Sequence, residues 1–166
     1  TSQVAGDLLG GFNKIGLLTG AYTNLNIKEN ISVQLEIIYI EKGSKNPNIH
    51  KNNIAEIMLS YMELPISINL QQKESLAVEA GILPAFLINS KMTDYFSEIE
   101  VVPSFEKYDF GIFAGINYHI MTKIILNTRI SNSIIPIRPH VSGATNRWNK
   151  GQYNTVLSFA IHYKIR

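Results

Sequence analysis

The stretch from Ala55 to Asn89 constrains the fold most, because two consecutive segments in it hold a strict two-residue period. In the first, Met58, Met62, Leu64, Ile66, Ile68 and Leu70 share one face, and Leu59, Tyr61, Glu63, Pro65, Ser67 and Asn69 share the other. In the second, Leu76, Val78, Ala80, Ile82, Pro84, Phe86 and Ile88 oppose Ala77, Glu79, Gly81, Leu83, Ala85 and Asn89. A period of two is that of an extended strand, so the stretch reads as two long strands joined by a tight polar turn. One face is uncharged and broken only by Ser60. The mixed face carries one glutamate per strand, which makes it a poor surface to turn toward water.

The same pattern recurs along the chain. Between Phe12 and Leu25, Ile15, Leu17, Ala21 and Leu25 oppose Lys14, Gly16, Gly20 and Tyr22. Between Asn30 and Glu41, Ile31, Val33, Leu35, Ile37 and Tyr39 oppose Ser32, Gln34, Glu36, Ile38 and Ile40. Tyr108 to Met121, Lys123 to Ser131 and Tyr153 to Ile165 alternate likewise. Short connections near Lys28, Gln72 and Thr122 take turns with long loops around Asn46, Phe96 and His140. An up-and-down barrel crossing an outer membrane gathers its short turns at one end and its long loops at the other.

At 166 residues the chain reads as one domain, 1–166. Hydrophobic residues make up 45% and charged residues 17%, and the charges sit largely between the apolar stretches. No run of about 18 apolar residues offers a transmembrane helix, whereas a transmembrane strand needs only about 9–11 residues. A net charge of +2 is too small and scattered for nucleic-acid binding. The absence of cysteine excludes disulfide scaffolds and thiolate metal sites.

Two arguments decide which face is outside. A lysine or arginine at the membrane midplane costs about 2–4 kcal/mol, so the uncharged face belongs to lipid and the mixed face to the interior of the barrel. Eight strands leave an interior just wide enough for side chains to fill. Lys14, Glu36, Glu63, Glu79, Arg129 and Lys164 then point inward as a charge network. The tyrosines give the second argument. Tyr39, Tyr108 and Tyr153 end apolar faces beside long loops, and Tyr118 and Tyr163 end them beside short turns or the terminus, as two interfacial belts would.

With these residues in view, the chain resembles the porin-family, PorT-like outer-membrane β-barrel proteins of the Bacteroidetes group. SQVAGDLLGGFNKIGLLTGAY at Ser2–Tyr22, LEIIYIEKGSK at Leu35–Lys45, YMELPISI at Tyr61–Ile68, EAGILPAFLI at Glu79–Ile88, YDFGIFAGINYHI at Tyr108–Ile120 and the closing HYKI at His162–Ile165 carry the resemblance. It implies an all-β fold, an eight-stranded antiparallel up-and-down transmembrane β-barrel in the outer membrane of a Gram-negative bacterium, with periplasmic termini. Family members have a strand before the SQ-x-x-GD segment, so most of the first strand is missing here and Thr1 is expected inside or just after it, in a longer mature protein. The end, Ile165–Arg166, departs from the usual terminal aromatic, and either Tyr163 supplies that signal or the chain continues.

The simplest chemistry for the inward charges is carboxylates paired with arginine or lysine as a polar plug, with Arg129 expected between Glu63 and Glu79. A gated conduit is the alternative, and nothing beside the carboxylates resembles a nucleophile site. No catalytic residue, metal site or cofactor is expected: His50, His119, His140 and His162 lack ligand spacing, and Gly16, Gly20, Gly111 and Gly115 lie at strand spacing, where they make room for neighbours. Trp148 with Ile134 and Ile135, in the segment Ile134–Val141, is either a protein contact or folded onto the rim. The expected partners are outer-membrane lipid and a protein of a larger secretion or uptake assembly; PorT-like relatives are associated with type IX secretion. The competing functional readings are a small gated pore and a soluble lipocalin-like ligand carrier.

Overall fold

A computed structural model of the chain describes residues 1–6, 9, 11–46, 54–140 and 150–165. Ten strands form one antiparallel sheet: β1 (Ser2–Ala5), β2 (Leu18–Lys28), β3 (Ile31–Lys45), β4 (Ile54–Glu63), β5 (Ile66–Lys73), β6 (Leu76–Asp94), β7 (Glu98–Ile99), β8 (Tyr108–Met121), β9 (Ile124–Ser133) and β10 (Tyr153–Tyr163). Sequence neighbours pair up and down, and β1 lies against β10 at the far edge. Among the described residues there is no helix.

β4 and β5 are one stave. Pro65 has no N–H to give the ladder, yet its carbonyl accepts from Glu36 N at 3.0 Å, and Leu64 N donates to Pro84 O at 2.9 Å, so both flanking ladders run through the break. The tight turns fall at Glu29–Asn30, Glu74–Ser75 and Thr122–Lys123. The second lies two residues beyond the position expected near Gln72, because β5 runs on to Lys73.

Alternation decides inside and outside as expected. Ile37, Ile68, Ile82, Ile112 and Ile130 are exposed on the outer wall, while Gln34, Glu36, Ser67, Asn69, Glu79, Asn117, Asn127 and Arg129 are buried within. A lateral row, Tyr39–Met62–Phe86–Tyr108, rings the wall toward the long loops, with the Phe86 and Tyr108 rings edge to face at 5.6 Å. Toward the short turns Leu76 pairs with Tyr118. Ten residues along β6 separate Phe86 from Leu76, about 34 Å of strand. At the ~35–45° tilt of membrane barrels this is a height of about 24–28 Å, which matches the ~25 Å apolar band of outer-membrane barrels.

Three stretches differ from the sequence reading. Phe12–Leu17 forms no regular strand, and β2 begins at Leu18. Instead Lys14 O accepts from Ser2 N at 2.9 Å, so β1 is held on both edges at this end. β3 runs on to Lys45, with Gly43 at φ +142° carrying the extended chain through a position that suits glycine. A register shift opposite Ser60/Tyr61 leaves Ile88 unmatched, and Asn89 pairs with Ser60 on the outer wall, not the inner one. The extra residue of a bulge reverses the facing of all that follows.

The long-loop end is packed with apolar side chains. Val4, Leu9, Ile57, Leu59, Tyr61, Met92, Phe105, Ile137 and Val156 form a buried cluster across it. The short-turn end holds a polar cleft of about 810 Å³, whose walls include Asn24, Gln34, Asn69, Gln71, Asn117, His119, His162 and Lys164. Apolar core and polar cleft thus occupy opposite ends of one barrel.

Candidate functional site

The inward charges form three separate groups. At mid-barrel Arg129 lies in a cross-strand row with Gly115, Glu79 and Asn69. Gly115 opens the path between the charged pair: a Cβ there would lie 2.6 Å from Glu79 Oε1 and 2.9 Å from Arg129 Cγ. Arg129 Nε contacts Glu79 Oε1, and Nη2 donates to Glu79 Oε2 at 3.1 Å. The same guanidinium crosses the lumen to Glu36, with Nη1 donating to Oε2 at 3.0 Å and Nη2 donating to Oε1. Arg129 is therefore a strut between opposite walls, 7% exposed, with the Phe113 ring against it at 4.8 Å.

Amides finish the coordination. Asn127 Nδ2 donates to Glu79 Oε1 at 2.8 Å, Asn117 Nδ2 donates to Glu79 Oε2 at 3.0 Å, and Gln34 Nε2 donates to Glu36 Oε1 at 2.9 Å. Each carboxylate accepts from a charged and a neutral donor, the arrangement that makes a buried ion pair tolerable.

The second group lies nearer the long loops. Lys42 Nζ contacts Glu63 Oε1 and lies 3.8 Å from Asp109 Oδ2, with the Tyr61 ring 4.8 Å away. Glu63, Ala85 and Asp109 share a row, so a small residue again separates two charged ones, as Gly115 does below. Ser133 Oγ and Asn154 Nδ2 each donate to Asp109 Oδ2 at 2.9 Å. Lys14 and Glu56 form the third group, an ion pair of 2.7 Å. Lys164 stands apart, lining the cleft at the short-turn end.

This corrects the expected sharing of Arg129 by Glu63 and Glu79. Glu79 sits opposite Asn69, whereas Glu63 sits opposite Ala85, six residues or about 20 Å further along. Glu36 is the second carboxylate of Arg129, and Lys42 serves Glu63. Lys42, Asp109 and Glu56 are missing from the expected set. Lys42 continues the inward parity of Ser32–Ile40 once β3 extends past Glu41, and Asp109 lies on the inward face of β8.

Of the belt tyrosines, Tyr108, Tyr118 and Tyr163 are exposed on the outer wall, and Tyr39 and Tyr153 are half-buried. The Tyr39 hydroxyl lies 3.2 Å from Glu41 Oε1 and 3.3 Å from Ser60 Oγ, on the edge of the apolar zone. Ile134 and Ile135 are exposed, while the next residues turn inward: Ile137 is fully buried and Arg138 stacks over Phe105 at 4.5 Å, with Nε donating to Gln152 Oε1 at 3.0 Å. The segment from Ile134 thus divides between the surface and the mouth of the barrel. Trp148 and His50 lie outside the described residues. Among the described residues no group of three or more histidine and acidic side chains is placed to hold a metal ion.

Beyond the apolar zone β6 and β7 form a short hairpin. Asp94 Oδ1 accepts from Phe96 N at 2.7 Å and from Ser97 N at 2.6 Å, and Lys91 pairs with Glu98 at 3.2 Å across its base. The turn holds Phe96 outward, 96% exposed. The two backbone donors, Phe96 first, keep the Asp94 carboxyl below its ordinary value.

No curated protein and no solved structure matches the chain. The family model for the outer membrane protein beta-barrel domain matches residues 11–138, a span from before β2 through β9. The apolar wall, the paired interior charges and this match agree, and the chain belongs to that family, as an outer-membrane β-barrel protein of a Gram-negative bacterium.

Proposed function

We propose that this barrel is a non-enzymatic, non-conducting accessory subunit of a larger outer-membrane assembly, of the PorT-like kind found in Bacteroidetes, with its short turns and termini on the periplasmic side. The observation that carries the reading is the hairpin tip. Phe96 is held clear of the barrel by an ordered turn, and Tyr95 and Val102 are also exposed at the long-loop end, outside the lipid-facing zone, while Ile134, whose N–H bonds Phe110 O, and Ile135 are exposed at the zone's edge. An ordered apolar surface beyond the membrane is a contact surface for another protein. The interior supports the same reading, because its carboxylates are used by Arg129, Lys42 and amides, and the apolar cluster crosses the long-loop end.

Native extraction in mild detergent, followed by identification of co-migrating chains, tests the proposal. The natural protein migrates with a partner and Phe96→Asp releases it without loss of the folded barrel; a lone monomer from natural membranes refutes the accessory role. The rival reading, a small gated pore, rests on the polar cleft at the short-turn end. It requires single-channel conductance in planar bilayers that changes on Arg129→Glu.

A further inference from the structure

The charge group around Lys42 carries one negative charge more than positive. Glu63 and Asp109 are both carboxylates, and among the described residues Lys42 is the one cation that meets them. The mid-barrel group has the same excess, two glutamates to one arginine, but it is finished differently. There every carboxylate oxygen accepts from Arg129, and three of the four accept from an amide as well. The polar cleft lies beside it and admits solvent.

Around Lys42 neither condition is met. Asp109 Oδ2 accepts from Ser133 Oγ and Asn154 Nδ2. Asp109 Oδ1, Asn154 Oδ1 and the Tyr61 hydroxyl, in contrast, are buried with no hydrogen-bond partner among the described residues. Asp109, Asn154 and Tyr61 are 4%, 2% and 0% exposed. Val4 pairs with Asn154, and Leu59 and Val156 are the next inward residues beside Tyr61 and Asn154, so the surroundings are apolar. Asn154 reaches Asp109 directly, and the Tyr61 hydroxyl lies near Asn154 and both carboxylates. The three oxygens thus belong to one sealed cluster. A buried acceptor left unbonded and a buried charge left unbalanced are both costly.

We propose that Asp109 Oδ1, Asn154 Oδ1 and the Tyr61 hydroxyl bind one monovalent alkali-metal cation, sodium or its like, as an integral part of the folded barrel. The ligand chemistry selects a hard ion, because all three atoms are oxygens from a carboxylate, a carboxamide and a hydroxyl. The charge count selects a monovalent one: with Glu63, Asp109 and Lys42 it brings the group to neutrality, whereas a divalent ion overshoots. Lys42 does not compete for the place. Its ammonium contacts Glu63 and lies 3.8 Å from Asp109 Oδ2, which leaves Oδ1 to the ion, so that each carboxylate has a cation of its own. This inference is independent of the accessory role.

Reversible urea unfolding of the complete protein in lipid vesicles, in sodium chloride against choline chloride at equal ionic strength, tests the site. For one ion bound only by the folded barrel, the folding constant rises about tenfold for each tenfold rise in sodium above its dissociation constant. Stabilisation by potassium as well supports the proposal. Asp109→Asn removes the charged ligand and leaves Glu63 balanced by Lys42, so its stability no longer depends on sodium, and in choline it is more stable than the natural protein. Tyr61→Phe keeps the ring against Lys42 and removes one ligand; it weakens sodium by about tenfold or more, as the loss of even an outer partner of a metal site does. A folding constant equal in sodium and choline overturns the proposal. So does a sodium dependence that persists undiminished in both variants, a response to calcium alone, or a dependence on pH with none on sodium, which would assign the balancing charge to a proton.

Discussion

Arg129→Met severs the strut between the two walls while keeping a side chain of similar length. Four hydrogen bonds are lost, and Glu36 and Glu79, 4% and 3% exposed, keep their burial without the guanidinium that compensates them. Removing one partner of a buried ion pair costs about 3–5 kcal/mol. The polar cleft beside the group lets water approach, which places the expected loss near ~3 kcal/mol, a fall of about a hundredfold in the folding constant. The companion variant carries Arg129→Met with Glu36→Gln and Glu79→Gln. It removes both stranded charges and keeps carboxamides that can bond to Gln34, Asn117 and Asn127, so it recovers to within about 1 kcal/mol of the natural protein, as neutral replacements of buried ion triads do. Reversible urea unfolding in lipid vesicles, followed by circular dichroism, measures both. The reasoning is refuted if the single variant loses less than about 1 kcal/mol, or if the triple variant is no more stable than the single one.

The lipid wall and the hairpin give further tests. Ile82 lies midway along the apolar height between Ile66 and Ile112, so Ile82→Arg destabilises by about 2–4 kcal/mol, whereas Phe96→Arg, beyond the membrane, changes stability by less than about 0.5 kcal/mol; equal losses in urea unfolding would show the wall misplaced. Gly115→Ala puts a methyl 2.7 Å from Thr128 O as well as against Glu79, and costs about 1–3 kcal/mol by overpacking, measured in the same way. Asp94, with its folded-state carboxyl depressed by the Phe96 and Ser97 donors, supports the hairpin turn fully above the ordinary carboxylate range near 3.9. That support is lost as pH falls through the lower folded-state value. Amide protection at Phe96 and Ser97 should therefore drop below about pH 4 and become independent of pH in Asp94→Asn.

The period of two makes the wall legible in the sequence, because the cost of a charge in lipid forbids the opposite facing and every inward residue of β3, β5 and β8 follows it. Height along the barrel was less legible. Parity says that Glu63 and Glu79 face inward but not that they share a level, so facing alone does not tell which carboxylates meet Arg129. Counting back from the turn at Glu74–Ser75 separates the two levels but lands one residue out, because a bulge at Gln72 moves Asn69 from Ala80 to Glu79 and Glu63 from Phe86 to Ala85. Lys42 was hidden by Gly43, which reads as the start of a loop but here sits inside a strand. A bulge that leaves no mark in the pattern of apolar residues turns Asn89 to the outer wall. The closing of the long-loop mouth by Ile137 and Arg138 depends on contacts with Phe105 and Met92, which local sequence does not specify.

The unequal ends of the barrel make its interior one-sided. Met92, Phe105, Ile137 and Arg138 close one mouth, and the cleft that reaches His162 and Lys164 opens at the other. Protons, ions and solvent therefore communicate with Glu36, Glu79 and Arg129 from a single compartment, as with a vessel that fills from one side. In vesicles holding the protein in one orientation, a jump in pH on the short-turn side changes exchange at the mid-barrel side-chain amides of Asn117 and Asn127 at once, while the same jump on the hairpin side reaches them only as the two compartments equilibrate.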